Sequence, residues 1–194
     1  APGLTGRELQ AYVAAGISSD HETTNYWEGL EKLRAGMYLM IREGSAARNL
    51  DDLIALANNN TVDRCLLVTD DLLPTDLEER GHMDHLLRRA VTHGVTPVRA
   101  IRMATVNGAQ RFRIDRVGAI APGYVADIVA LEDLQEFVAA FVSAKGRLAA
   151  IDGNPVEPIR PYRFPDALLH TVHLPDLRSE DLAIPAERGE VRVV

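Results

Sequence analysis

Cys65, Leu66, Leu67 and Val68 form an unbroken apolar run that ends at Thr69, Asp70 and Asp71. A run with no alternating polar position predicts a strand buried on both faces, as parallel strands under helices are. It also delivers two carboxylates to the strand's C-terminal mouth. A second apolar run, MYLMI at residues 37–41, is followed by Arg42, Glu43, Gly44 and Ser45, and a shorter candidate, ISSD at residues 17–20, by His21 and Glu22. Each run follows a stretch of helical period. Thr5 and Glu8 have the spacing of a capping box ahead of ELQAYVAA, with Gly16 as its stop. Residues 25–35 place Tyr26, Leu30 and Leu33 on one face, with Thr23 or Thr24 as N-cap and Gly36 as the stop. In AARNLDDLIALA the core stripe is Leu50, Leu53, Ile54 and Leu56; Ser45 is the expected cap, and a polar turn at residues 58–61 leads to the central strand. Strands alternating with helices predict parallel crossovers, hence a barrel or a doubly wound sheet.

Downstream the period stays helical as far as residue 112. Pro74 and Thr75 open a short helix that Gly81 closes; HMDHLLRRAVTH follows and stops at Gly94. Thr96 and Pro97 begin PVRAIRMATVNGAQRF, read as one helix with Val98, Ile101 and Ala104 inward. The pattern then becomes β-branched, alternating and punctuated by glycine, which predicts short antiparallel strands. The expected parts are residues 1–115, 116–160 and 161–194. The last holds most of a stretch rich in proline, six of the chain's ten lying at or beyond Pro155, and ends in a strand-like EVRVV.

Composition narrows the picture. With 194 residues, 46% of them hydrophobic, the chain can bury a sizeable core. A net charge of -7, spread along the chain, argues against a nucleic-acid surface. No apolar run approaches the roughly 20 residues that span a bilayer, so a cytoplasmic protein without membrane contact is expected. The single cysteine, Cys65, allows neither an intrachain disulfide nor a CxxC metal site. That excludes the zinc nucleobase deaminases that need a PCxxC signature.

The chemistry then has a location. His21, the loop of Arg42, Glu43, Gly44 and Ser45, and Asp70 with Asp71 follow three successive strand ends, which a barrel gathers around one cavity. A neutral imidazole and a carboxylate suit a divalent Zn, Mn or Fe ion, and a metal-bound water beside an ionised Asp is a hydrolytic nucleophile. The competing reading makes His21 a capping or hydrogen-bonded histidine, Ser45 a helix cap and Arg42 half of a salt bridge. His82 and His85 read as a helix cap and an exposed residue, and His93, His170 and His173 as surface.

The segments GISSDHE, IREGSAARNL, LLVTDD followed by GHMDHLLRRA, and ATVNGAQRF followed by GAIAPGYVADIVAL resemble the bacterial adenine deaminases of the amidohydrolase superfamily. The resemblance covers nearly the whole chain. It implies an α/β fold, the C-terminal part of a (β/α)8 TIM-like barrel with strands 6 to 8, plus part of a small β-sandwich and the start of a C-terminal domain at HTVHLPDLRSEDLAI. The activity implied is metal-dependent hydrolysis of adenine to hypoxanthine and ammonia, with His21 and Asp70 as metal ligands and Asp70 as the proton shuttle. Arg42, Glu43, Ser45, Asp71 and His82 are the candidates for holding the purine edge. The family's HxH pair, bridging carboxylate and strand 5 histidine would all precede Ala1. The missing barrel half, in the same or another chain, is therefore an expected partner, with adenine and further copies in a homo-oligomer. Two alternatives stay open: a non-catalytic interaction module, and an amidohydrolase acting on another cyclic amidine or amide.

Overall fold

The computed structural model describes residues 1–58 and 61–183. The chain divides into two compact units, Ala1–Glu157 and Pro158–Val194. The expected strand EVRVV lies outside the described residues, as does part of the turn expected at residues 58–61.

In the first unit β1 (Ser19–Asp20), β2 (Tyr38–Arg42) and β3 (Cys65–Val68) form a parallel sheet in the order β1-β2-β3. Register pairs Asp20 with Leu39, and Leu39 through Arg42 with Cys65 through Val68. All three strands thus end at one rim of the sheet. The helices are α1 (Gly6–Ala14), α2 (Tyr26–Arg34), α3 (Leu50–Leu53), α4 (Pro74–Arg80), α5 (Met83–Thr92), α6 (Pro97–Ala104) and α7 (Val106–Phe112). Leu39, Ile41, Cys65 and Leu67 pack in one core with Leu50, Leu53, Ile54, Leu56, Leu86, Ala90 and Met103. The helices lie close to the strands: a Cβ on Gly29 of α2 would stand 2.7 Å from Leu56 Cδ1 and 3.3 Å from Leu39 Cδ2.

The alternating segment becomes an antiparallel sheet of β4 (Ile128–Leu131), β5 (Ala139–Ala144), β6 (Arg147–Ile151) and β7 (Asn154–Pro155), ordered as in the chain. Phe137 and Leu131 join it to the same core. The architecture is therefore α/β with one parallel and one antiparallel sheet, and among the described residues the parallel sheet does not close into a barrel. In the second unit a one-turn helix, α8 (Asp166–Leu169), and a 3₁₀ turn, Ser179–Leu182, are formed, and no described residue is buried. Among the described residues no helix is long and apolar enough to cross a membrane.

Several local expectations are corrected. Thr5 makes no side-chain cap, and the end of α1 is held instead by Gly6 N–H, which donates to Glu31 Oε1 at 2.7 Å. The cap of α2 is Asn25, whose side chain accepts from Glu28 N–H, while the Thr23 hydroxyl is turned to Asp20 Oδ2 at 2.6 Å. Ser45 caps nothing: α3 begins only at Leu50 and passes directly into the 3₁₀ stretch Ile54–Asn58. The long helix read after Thr96 breaks at Thr105, whose hydroxyl bonds back to Ile101 O at 2.7 Å. The break lets α7 turn buried Asn107 toward β3, where its amide donates to Val62 O and Cys65 O, both at 2.9 Å. Val98, expected inward, is 64% exposed, and Ala100 and Met103 are buried in its place.

Cys65 is fully buried, and burial pushes its thiol up to about 12. Because the thiolate is the reactive form, native Cys65 should resist an aromatic disulfide reagent at pH 8 and react stoichiometrically once denaturant is added. Rapid labelling of the native chain would mean that β3 is not held in this core.

Candidate functional site

The rim beyond the strand ends gathers side chains from three loops. Arg42, the last residue of β2, sends Nη1 to Glu22 Oε1 at 2.9 Å and to Asp70 Oδ2 at 2.9 Å. Glu22 Oε1 in turn lies 3.1 Å from His21 Nε2. One chain of contacts therefore links His21, Glu22, Arg42 and Asp70 across all three strands. Asp70 turns the chain with φ of 57°; this left-handed conformation is costly for most residues and tolerated by Asp. Its side chain is 36% exposed, and among the described residues Oδ1 has no hydrogen-bond partner. Burial opposes the charge on Arg42, whose side chain is 12% exposed, but Glu22 and Asp70 outweigh it and raise its pKa above the ordinary value.

Alternation along the backbone splits the candidates of this loop between two sides. Arg42 reaches the rim, whereas its neighbour Glu43 is buried against α5, with Arg89 Nη1 3.1 Å from its Oε1. Burial raises the Glu43 carboxyl despite Arg89 and Arg48. Ser45 and Asp71 hold the two loops together. Ser45 N–H donates to Asp71 O at 2.6 Å, Ala46 N–H to Asp71 Oδ2 at 2.8 Å, and Leu73 N–H to Ser45 Oγ at 2.8 Å. The bond from Ala46 keeps the Asp71 carboxyl below its usual range. Gly44 is needed there, because any Cβ would stand 2.6 Å from the carbonyl oxygens of both Thr69 and Asp71. His82 is exposed ahead of α5, its N–H bonded to Asp84 Oδ1, and among the described residues no hydrogen bond or ion pair joins it to the His21 and Asp70 cluster.

Three participants went unread in the sequence. Glu22 stands beside His21 in the sequence, and its role comes from Arg42, whose Nη1 reaches it from the end of β2. Asn49 ties the ends of β1 and β2 together, through bonds that span 7 to 28 residues. Lys32 is 1% exposed and donates from Nζ to Asp20 Oδ2 at 2.7 Å, Glu28 Oε1 at 2.5 Å and Thr23 Oγ1 at 3.1 Å. Burial would raise Asp20, yet the bonds from Lys32 and Thr23 are among those that drive it far below its ordinary value. A cation thus sits directly beneath the strand that presents His21.

A parallel sheet whose rim carries histidine, arginine and carboxylates is the frame of many hydrolases, and the family model of the amidohydrolases matches residues 3–156. The chain belongs to the amidohydrolase family. Within it, the chain is 45% identical to adenine deaminase 2 of Carboxydothermus hydrogenoformans and 45% identical to the adenine deaminase of Methanothrix thermoacetophila, each match covering 100% of this chain and 34% of the relative. The chain therefore spans about a third of the length of these relatives. Among solved structures, the β-aspartyl dipeptidase of Fervidobacterium islandicum AW-1 superposes with a TM-score of 0.55 at 21% identity, over 69% of this chain and 38% of that one. At that identity the likeness speaks for the fold alone.

Proposed function

We propose that this chain is the C-terminal part of an adenine deaminase barrel, strands 6 to 8 with their helices, followed by part of a β-sandwich and the entry to a further domain. Completed by the missing barrel half, it hydrolyses adenine to hypoxanthine and ammonia, as a cytoplasmic enzyme. The supporting observation is the contact chain from His21 through Glu22 and Arg42 to Asp70, which brings three strand ends to one rim. The 40–45% identity to adenine deaminases supports adenine as the substrate.

The donor set fits a divalent Mn, Fe or Zn ion in kind, an imidazole nitrogen and a carboxylate oxygen, with His21 and Asp70 as the residues that would hold it. When bound, such an ion would acidify the water that attacks the purine. It does not fit in number: among the described residues no group of three or more His, Cys, Asp or Glu could hold an ion, and catalytic sites use about three protein ligands. The other ligands would come from the missing half. Asp70 takes the proton from the attacking water on its unpartnered Oδ1 and passes it to the departing ammonia. Arg42 Nη1, 2.9 Å from Asp70 Oδ2, keeps the carboxylate aimed at the rim. Arg42, Glu43, Ser45, Asp71 and His82 remain the proposed holders of the purine edge, with Glu43 and the Ser45–Asp71 pair acting through the shape of the loop they fix.

The alternative is a non-catalytic interaction module. The test is to purify the 194-residue chain alone and joined to the upstream part of its reading frame. The joined protein should bind a divalent ion and release ammonia from adenine, and the chain alone should do neither. Ammonia release by the lone chain would overturn the need for a second half, and none from the joined protein would leave the module reading.

A further inference from the structure

We infer that Asn49 is a positioning residue of the active site: its carboxamide serves as an added rung between the ends of β1 and β2, holding His21 and Arg42 in register. The inference rests on the deaminase reading above. The β1–β2 ladder stops at the pair Asp20 and Leu39, so the backbone that presents His21 has no strand partner beyond that point. Asn49 fills the gap. Its Nδ2 donates to Thr23 O at 2.8 Å and to His21 O at 3.4 Å, its Oδ1 accepts from Arg42 N–H at 2.8 Å, and its own N–H donates to Arg42 O at 3.1 Å. A carboxamide has the donor and acceptor of a peptide unit, and here each end faces a different strand.

The ordinary use of this residue is ruled out by the same geometry. Asn49 stands at the N-cap position of α3, where asparagine is favoured because its side chain accepts from the helix N–H groups, yet it makes no such bond. It is 5% exposed, so the carboxamide is not held for solvent either. Asn49 is spent on the two backbones that carry a proposed metal ligand and the arginine that orients the other. Residues that orient ligands in this way shift metal affinity or turnover by about 10- to 100-fold when changed.

Asparagine is required by the two-sided bonding. Aspartate has nearly the same shape and keeps the acceptor for Arg42 N–H, but it cannot donate to Thr23 O or His21 O. Asn49→Asp therefore releases the β1 side while leaving the β2 side engaged; Asn49→Leu removes the side-chain bonds to both and keeps only the backbone bond to Arg42 O.

The experiment uses the full reading frame that carries this chain, unmodified and with each substitution, and measures kcat and KM for adenine, the affinity for Mn²⁺ alone, and thermal unfolding. Asn49→Asp should keep its unfolding temperature within a few degrees while kcat per folded molecule and Mn²⁺ affinity each fall about 10- to 100-fold and KM stays close to the unmodified value. Asn49→Leu should lose more of both. If Asn49→Asp kept both values, or lost them only in proportion to its unfolded fraction, Asn49 would be a structural residue and the inference would be wrong. Should the unmodified protein release no ammonia, the deaminase reading fails by itself, and the Mn²⁺ affinities of the two variants still decide the role of Asn49.

Discussion

Asp70→Asn in the completed enzyme is expected to remove adenine turnover while leaving the fold in place. The amide preserves the side-chain shape but cannot take up the proton of the attacking water, and losing a general base costs about 10²- to 10⁴-fold in kcat before any loss of metal is counted. The fold should survive because Asp70 is a half-exposed turn residue outside the core, and asparagine tolerates its left-handed backbone as well as aspartate does. Its bond from Arg42 Nη1 can pass to the amide oxygen. Steady-state ammonia release with circular dichroism on the same sample makes the check. Near-normal kcat in the variant would take the proton role away from Asp70.

Lys32→Met should act on stability, and strongly. The ammonium is the shared partner of Asp20 and Glu28, both buried, and removing it leaves Glu28 without its cation and Asp20 with only the Ala1 terminal ammonium, 2.7 Å from its Oδ1, and the Thr23 hydroxyl. Breaking a buried pair from one side costs about 3–5 kcal/mol, a large share of the 5–15 kcal/mol typical of a domain. Urea unfolding should show the midpoint fall by a corresponding amount. Adding Asp20→Asn and Glu28→Gln to Lys32→Met should recover part of the loss, because the uncompensated charges are then gone. A variant of unchanged midpoint would mean that water or another cation reaches the cluster.

The parallel strands were legible because residues 37–41 and 65–68 carry no polar alternate, and the order of helices between them left little choice of topology. The strand ends gave His21, Arg42 and Asp70 for the same reason. What sequence did not disclose depends on contacts made across the fold. Lys32 sits in a helix that reads as amphipathic, and nothing local says that Asp20 and Thr23 will surround it. Ser45 has the residue type and place of a cap, but the tertiary demand for a link between the β2 and β3 loops outweighed the local one. Val98 obeys the helical period and still faces out, since the break at Thr105 limits α6 to two turns and Ala100 with Met103 meets the core.

The order of the parallel sheet bears on the life of the chain in a cell. With β2 in the centre, β1 and β3 each leave one side of their main chain unpaired by another strand among the described residues, and β3 is an apolar tetrapeptide. Such borders recruit whatever strand arrives first, including one from an identical molecule. Residues 1–183 expressed by themselves should therefore self-associate, and strands supplied to cover β1 and β3 should suppress that association.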